Sequence, residues 1–142
     1  MSCSVVTTER QFTAVIKAKV PFGGIPDAQR SARATLAASL ASLDAGAVGR
    51  GITRFRTPAD GALDMEMGSI VARRFQDRGD VVLSELPAGR AAHYALKGPF
   101  EGLPGAWQTL FEWCNREGVT PSGVNWEIYG TAQDADLYAL LA

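Results

Sequence analysis

Apolar and polar residues alternate along Gln11–Pro21: Phe12, Ala14, Ile16, Ala18 and Val20 fall on one face, Lys17 and Lys19 on the other. A period of two predicts a half-buried strand. The period then lengthens. Ala28, Ala32, Leu36, Leu40 and Leu43 recur at spacings of four and three, which predicts a helix from about Asp27 to Asp44 with one apolar stripe. Pro26 suits its first turn and Gly46 its exit. Gly51–Arg56 and Leu63–Arg73 read as strands, and TPADGA at 57–62 predicts a hairpin turn between them. Asp80–Leu86 and Arg90–Lys97 read as strands around Pro87, Ala88 and Gly89. Trp107, Leu110, Phe111 and Cys114 stand at i, i+3, i+4 and i+7, predicting a helix from about Pro104 to Glu117 that Gly118 ends. Asn125–Gly130 and Asp136–Leu141 are the last predicted strands.

The order strand–helix–strand–strand occurs twice, and one segment recurs nearly verbatim. Residues 20–28 read VPFGGIPDA and residues 98–106 read GPFEGLPGA, an offset of 78. Five of the nine positions are identical: Pro21/Pro99, Phe22/Phe100, Gly24/Gly102, Pro26/Pro104 and Ala28/Ala106. Chance convergence of Pro/Gly turns is the alternative, but five identities in the same strand-to-helix slot favour duplication. The later strands match less closely, with Phe55 set against Tyr129 and Asp64–Met65–Glu66 against Asp136–Leu137–Tyr138. Two copies are too few for a solenoid. The expected fold is therefore α+β, a single domain over 1–142. Repeat one covers about 10–75 and repeat two about 79–142. Two helices pack on joined antiparallel sheets, and the faces away from the helices flank a pseudo-twofold ligand cleft.

Composition narrows the function. Hydrophobic residues are 46% and charged residues 20%, a globular balance. Lys+Arg number 14 and Asp+Glu 15, so there is no basic surplus for direct nucleic-acid binding. No apolar run reaches the ~18–20 residues of a membrane span. The start, MSCSVVTTER, lacks the basic and apolar regions of a secretory signal. Cys3 and Cys114 give no disulfide framework, and with His93 they are too few for a zinc site. Cys3 is expected in a disordered terminus and Cys114 in the core. These points predict a cytoplasmic protein, monomer or homodimer, with no metal or cofactor and with a small molecule as partner. Walker, GxSxG and HExxH motifs are absent.

The segment GPFEGLPGAWQTLFEWCNREGVTPSGVNWEIYG, followed by DLYALL, resembles the C-terminal half of the GyrI-like small-molecule-binding domain, the effector-binding domain of bacterial transcription activators. Gly98, Pro99, Phe100, Leu103, Trp107, Phe111, Trp113, Gly118, Trp126–Tyr129 and Asp136–Tyr138 carry the resemblance. Asp64–Gly68 looks like the family's corresponding first-half strand. The resemblance implies a duplicated βαββ fold with a pocket between the halves, a glutamate in that pocket at Glu127, and bulky ligands that are often cationic or aromatic. Some members are fused to helix-turn-helix domains, which this sequence lacks. Some stand-alone members are hydrolases that open strained cyclopropane rings of alkylating natural products. The last strand lacks the family's usual proline, and the His93–Tyr94 strand is unusual for it.

Glu127 is the sharpest candidate. Alternation in NWEIYG puts Glu127 and Tyr129 on one face, Trp126 and Ile128 on the other. A carboxylate among aromatic side chains is poorly solvated, so its pKa rises unless a cation or donor compensates. It could then pair with a cationic ligand or act as a general base; an edge-strand glutamate facing solvent is the plain alternative. The resemblance turns Tyr138 toward the pocket as a donor to ligand or to Glu127. Met65 and Met67 should point to the helices, leaving Glu66 on the cleft face. Trp107 is the expected pocket floor, Phe22 and Phe100 the rim, and Tyr129 and Tyr94 complete the ligand-binding set. His93 is expected to be a structural or surface residue. The two readings are a stand-alone binder that senses or sequesters a bulky hydrophobic, cationic or aromatic compound, and a hydrolase using Glu127 as base with Tyr138 beside it.

Overall fold

The computed structural model describes residues 3–56 and 62–142, and the backbone alone at Phe22. The expected turn at 57–62 falls, but for Ala62, outside these residues. In chain order the described elements are β1 (Cys3–Thr8), β2 (Gln11–Pro21), α1 (Ile25–Ser39), β3 (Val48–Arg56), β4 (Ala62–Val71), β5 (Val81–Leu86), β6 (Gly89–Leu96), α2 (Leu103–Glu117), β7 (Pro121–Tyr129) and β8 (Ala135–Leu141). A short 3-10 turn leads into each helix, at Phe22–Gly24 and Phe100–Gly102. The fold is α+β: two helices on one antiparallel sheet of order β1-β6-β8-β7-β3-β4-β2-β5. Among the described residues no helix is long and apolar enough to cross a membrane.

The strand β1 was not expected. Cys3 is not in a loose terminus but pairs with Tyr94 at the sheet edge. Val5, Val6, Thr7 and Thr8 have the β-branched character of a strand. Their alternation is too polar to stand out, because an edge strand needs no strong apolar face. With β1 included, the halves run in step. The bounds of β1 and β5 differ by 78 residues, and so do those of α1 and α2. The ladders carry the match further. Thr13 pairs with Ile70, and its counterpart Ala91 pairs with Leu140, so Ile70 corresponds to Leu140. Ser69 then corresponds to Ala139. Their partners Gly51 and Asn125 correspond too, which makes Thr53 the counterpart of Glu127 and Phe55 that of Tyr129. By the same register Glu66 matches Asp136, and Tyr138 matches Gly68. The sequence match of Glu66 to Tyr138 was two residues out, because the two hairpins differ in length.

Each half gives its first strand to the other: β1 joins β6, and β5 joins β2. Two-residue links, Glu9–Arg10 and Pro87–Ala88, connect these exchanged strands. In a flat sheet β5 and β6 would stand about 29 Å apart, at ~4.8 Å per strand. A two-residue link spans at most about 11 Å. The sheet must therefore curl, and it curls around the face without helices. There Val15, Ile52, Leu86, Ala91, Trp126 and Ile128 close into a core. The Thr8 hydroxyl pins the seam, 2.9 Å from the Pro87 carbonyl oxygen.

Core thus takes the middle of the helix-free face, where a cleft was expected; beside it Lys17, Lys19, Arg54, Arg56, Asp64 and Glu66 line a smaller cavity of about 360 Å³. On the other face α1 covers β2 and β4, packing Ala32 and Leu36. α2 covers β6, packing Ala106, Leu110 and Cys114. The gap between the helices lies over β3 and β7, along the pseudo-twofold axis.

β4 lies close against β2 at Gly68. A Cβ on Gly68 would lie 1.8 Å from the Ala14 carbonyl oxygen, a collision with backbone. Gly68→Ala is expected to cost about 3 kcal/mol or more. Gly105→Ala, where the new carbon meets nothing within 4 Å, should be neutral or stabilise by about 0.5–1 kcal/mol. Urea unfolding of both variants tests this, and equal midpoints would refute the close approach.

Candidate functional site

A cavity of about 1030 Å³ opens between α1 and α2. Thr53 and Phe55 of β3 and Glu127 and Tyr129 of β7 form its floor. The α2 wall carries Leu103, Trp107 and Phe111; the α1 wall carries Ile25, Gln29 and Arg33. Trp107 packs edge-on to Phe55, centroids 5.1 Å apart, and stacks on Phe111 at 5.5 Å. Phe100 stands exposed at the rim, its ring 5.4 Å from that of Tyr129.

Glu127 is 8% exposed, and both its carboxylate oxygens are held. Trp107 Nε1–H donates to Oε2 at 2.6 Å, and the Tyr129 phenol lies 2.6 Å from Oε1. The phenol oxygen is also 2.6 Å from Thr53 Oγ1, which accepts from Gln29 Nε2 at 2.9 Å. The phenol has one proton. The carboxylate is the stronger acceptor, so that proton goes to Glu127 and the Thr53 hydroxyl donates to the phenol. A polar chain thus runs from α1 across the axis to α2: Gln29, Thr53, Tyr129, Glu127, Trp107.

Burial pushes the Glu127 carboxyl above the ordinary carboxylate range, and the bonds from Tyr129 and Trp107 offset part of the rise. Burial, then the Glu127 charge, pushes the Tyr129 phenol well up, so it remains a neutral donor. Among the described ion pairs none involves Glu127. Its charged form is oriented by dipoles and lacks a counter-ion, which suits it to receive a cation or, if water reaches it, to take a proton.

Of the residues singled out in the sequence, Glu127, Tyr129, Trp107 and Phe100 line the cavity. Tyr138 does not. It belongs to the curled face, stacked on Trp126 at 5.3 Å and tilted against His93 at 4.9 Å. Glu66 is on that side as well, accepting from the Ser84 hydroxyl and flanked in the sheet by Lys17 and Arg54. Both lie on the helix-free face, whereas the larger cavity opens on the other; Glu66 lines instead the smaller cavity among Lys17, Lys19, Arg54 and Arg56. Tyr94 packs beneath α2 and does not line the cavity. The Phe22 side chain lies outside the described residues. His93 bonds Asp136 Oδ1 at 2.9 Å. Sequence reasoning missed Thr53, Gln29 and Arg33. The offset of 78 could have found two of them, since it carries Trp107 onto Gln29 and Phe111 onto Arg33.

A sequence model of one family, described as the GyrI-like small molecule binding domain, matches residues 1–138. No curated protein matches the sequence closely enough to count as a relative. Among solved structures, EcmrR in its complex with DNA is similar, with TM-score 0.82 at 14% identity over 99% of this chain. This chain spans only 57% of that one. SAV2435 bound to tetraphenylphosphonium gives a TM-score of 0.75 at 11% identity, covering 100% of this chain and 94% of that one. A hydrolase from Listeria innocua gives 0.65 at 13%, covering 99% and 91%. At such identities the likeness is one of fold.

The raised carboxyl has a signed consequence. Between the unfolded value, about 4.3, and the higher folded one, the native state binds more protons than the unfolded chain. Stability therefore falls as pH rises through that window. The amide of Glu127→Gln can accept from Trp107 and donate to the Tyr129 phenol, whose proton then turns to Thr53, so both contacts survive without the charge. Wild type is expected to lose stability relative to Glu127→Gln between about pH 4 and about pH 8, read by urea denaturation at both. A constant difference would show that the fold holds the carboxylate without penalty.

Proposed function

Because the chain belongs to the GyrI-like small-molecule-binding domain family, we propose that the cavity between α1 and α2 receives a bulky hydrophobic compound with aromatic rings and a cationic centre. Sensing, sequestration or resistance would be its purpose. The observation that carries this reading is Glu127: a buried carboxylate with no ion pair among the described residues, held by Trp107 and Tyr129 in an apolar, aromatic space. A cation set against it relieves the cost of burying the charge, and the Trp107 and Phe111 faces add stacking and cation–π attraction. The volume is at the upper end of the ~300–1,000 Å³ usual for ligand pockets. SAV2435, similar in fold, is bound to tetraphenylphosphonium, a bulky aryl cation. The proposal places the encounter in the cytoplasm, with a monomer or homodimer and without direct nucleic-acid contact.

A second reading has one observation in its favour. The raised basicity of Glu127 beside a neutral phenol would serve a hydrolase in which Glu127 activates water. Tyr129 would then take the place expected of Tyr138.

One variant separates the readings. For a binder, Glu127→Gln is expected to weaken tetraphenylphosphonium binding about 10–100-fold and leave uncharged N-phenyl-1-naphthylamine unchanged. Wild-type affinity for the cation should also rise with pH as the carboxyl ionises. For a hydrolase, the variant keeps binding a cyclopropane-bearing electrophile but loses single-turnover ring opening. A variant equal to wild type in every assay would remove Glu127 from the site.

A further inference from the structure

The pseudo-twofold axis relates the two walls of the cavity, but their chemistry differs. Where α2 presents Trp107 and Phe111, α1 presents Gln29 and Arg33. A cation surrounded only by aryl groups would leave that second pair without a partner. The Arg33 guanidinium is folded down onto the floor, 5.4 Å from the centroid of the Tyr129 ring. Its Nη1 would lie 3.2 Å from a Cβ placed on Gly51. Among the described residues no carboxylate forms an ion pair with it. Arg50, the other arginine lining the cavity, is occupied by the Tyr129 and Ile128 carbonyls and by Asp136.

Gln29 stands one turn before Arg33 on the same helix face. Its Nε2 bonds Thr53, while its Oε1 is buried without a partner. The Nε2 group carries a second proton, which no described hydrogen bond uses, as a donor beside Arg33. Tyr129 lies between Glu127 and Arg33. Its hydroxyl bonds Glu127, and its ring face carries Arg33.

We propose that Arg33, with Gln29 beside it, is an anion-binding subsite on the α1 wall. The occupant is then an amphoteric aromatic compound, with rings against Trp107 and Phe111 and a carboxylate, sulfonate or similar acidic group at Arg33. This rests on the cavity being the ligand site and adds a second charge to the ligand class. Arginine suits the task, since its planar fork meets an oxyanion through two hydrogen bonds while its face stays stacked on an aromatic ring.

The test uses two fluorescent probes that differ by one group, 8-anilinonaphthalene-1-sulfonate and uncharged N-phenyl-1-naphthylamine. Each is titrated into the full chain, Arg33→Met, and Arg30→Met. Arg30 lies on the same helix with its side chain 74% exposed and paired with Asp27, so its loss controls for net charge. Wild type is expected to prefer the sulfonate by about tenfold or more. Arg33→Met should bring the two affinities within about twofold, with the uncharged probe unaffected. Arg30→Met should keep the preference. Equal affinities in wild type, or a preference that survives Arg33→Met, would overturn the anion subsite and leave the cavity reading standing. Failure of both probes to bind wild type would overturn the anion subsite, and the cavity reading falls with it only if tetraphenylphosphonium fails to bind as well.

Discussion

Two short links govern this molecule. Glu9–Arg10 and Pro87–Ala88 each join strands that the sheet order places at or beside opposite edges. Chain connectivity cannot stretch to the width of a flat sheet, so the sheet bends until its edges approach. The direction of the bend sets the rest. Val15, Ile52, Trp126 and their neighbours are sealed inside the curl. The helices are confined to the convex side, and the gap between them on that side falls over β3 and β7.

That gap coincides with the pseudo-twofold axis, which passes between Thr53 and Glu127, direct partners across β3 and β7. One position of the repeat has thus become a hydroxyl in one half and a carboxylate in the other, and the two are linked through Tyr129. The same divergence runs up the walls, with Gln29 against Trp107 and Arg33 against Phe111. A symmetric scaffold supplies a cavity shared by both halves. Unequal side chains give that cavity direction, with an aromatic side, a polar side and a buried acid between them. The acid is costly to keep charged in the empty cavity, and that cost is what a cationic ligand would offset.

Much of this was legible in the sequence. The alternation of Gln11–Pro21 matches β2 to the residue, and the Trp107–Cys114 stripe marks the buried face of α2. The predicted first helix ran on to Asp44, whereas α1 stops at Ser39 and a 3-10 turn follows. Leu43 is nonetheless buried, because that turn keeps the apolar stripe on the sheet. Glu127 and Tyr129 were found because a charged residue in an aromatic strand breaks the local pattern. Glu66 and Tyr138 were misplaced for a different reason. Alternation shows that residues share a face but not which face opens into the larger cavity; the two-residue slip in matching the hairpins leaves the face unchanged.

Local periodicity and the recurrent PFxGxP turn determined every element but β1, their order and the twofold plan, since each depends on residues close in the chain. The exchange of β1 and β5 between the halves, the closed side of the sheet, and the meeting of Gln29, Thr53, Tyr129, Glu127 and Trp107 were decided only in three dimensions. Strand partners and sheet curvature depend on contacts between residues as far apart as Thr8 and Pro87. No local pattern encodes them.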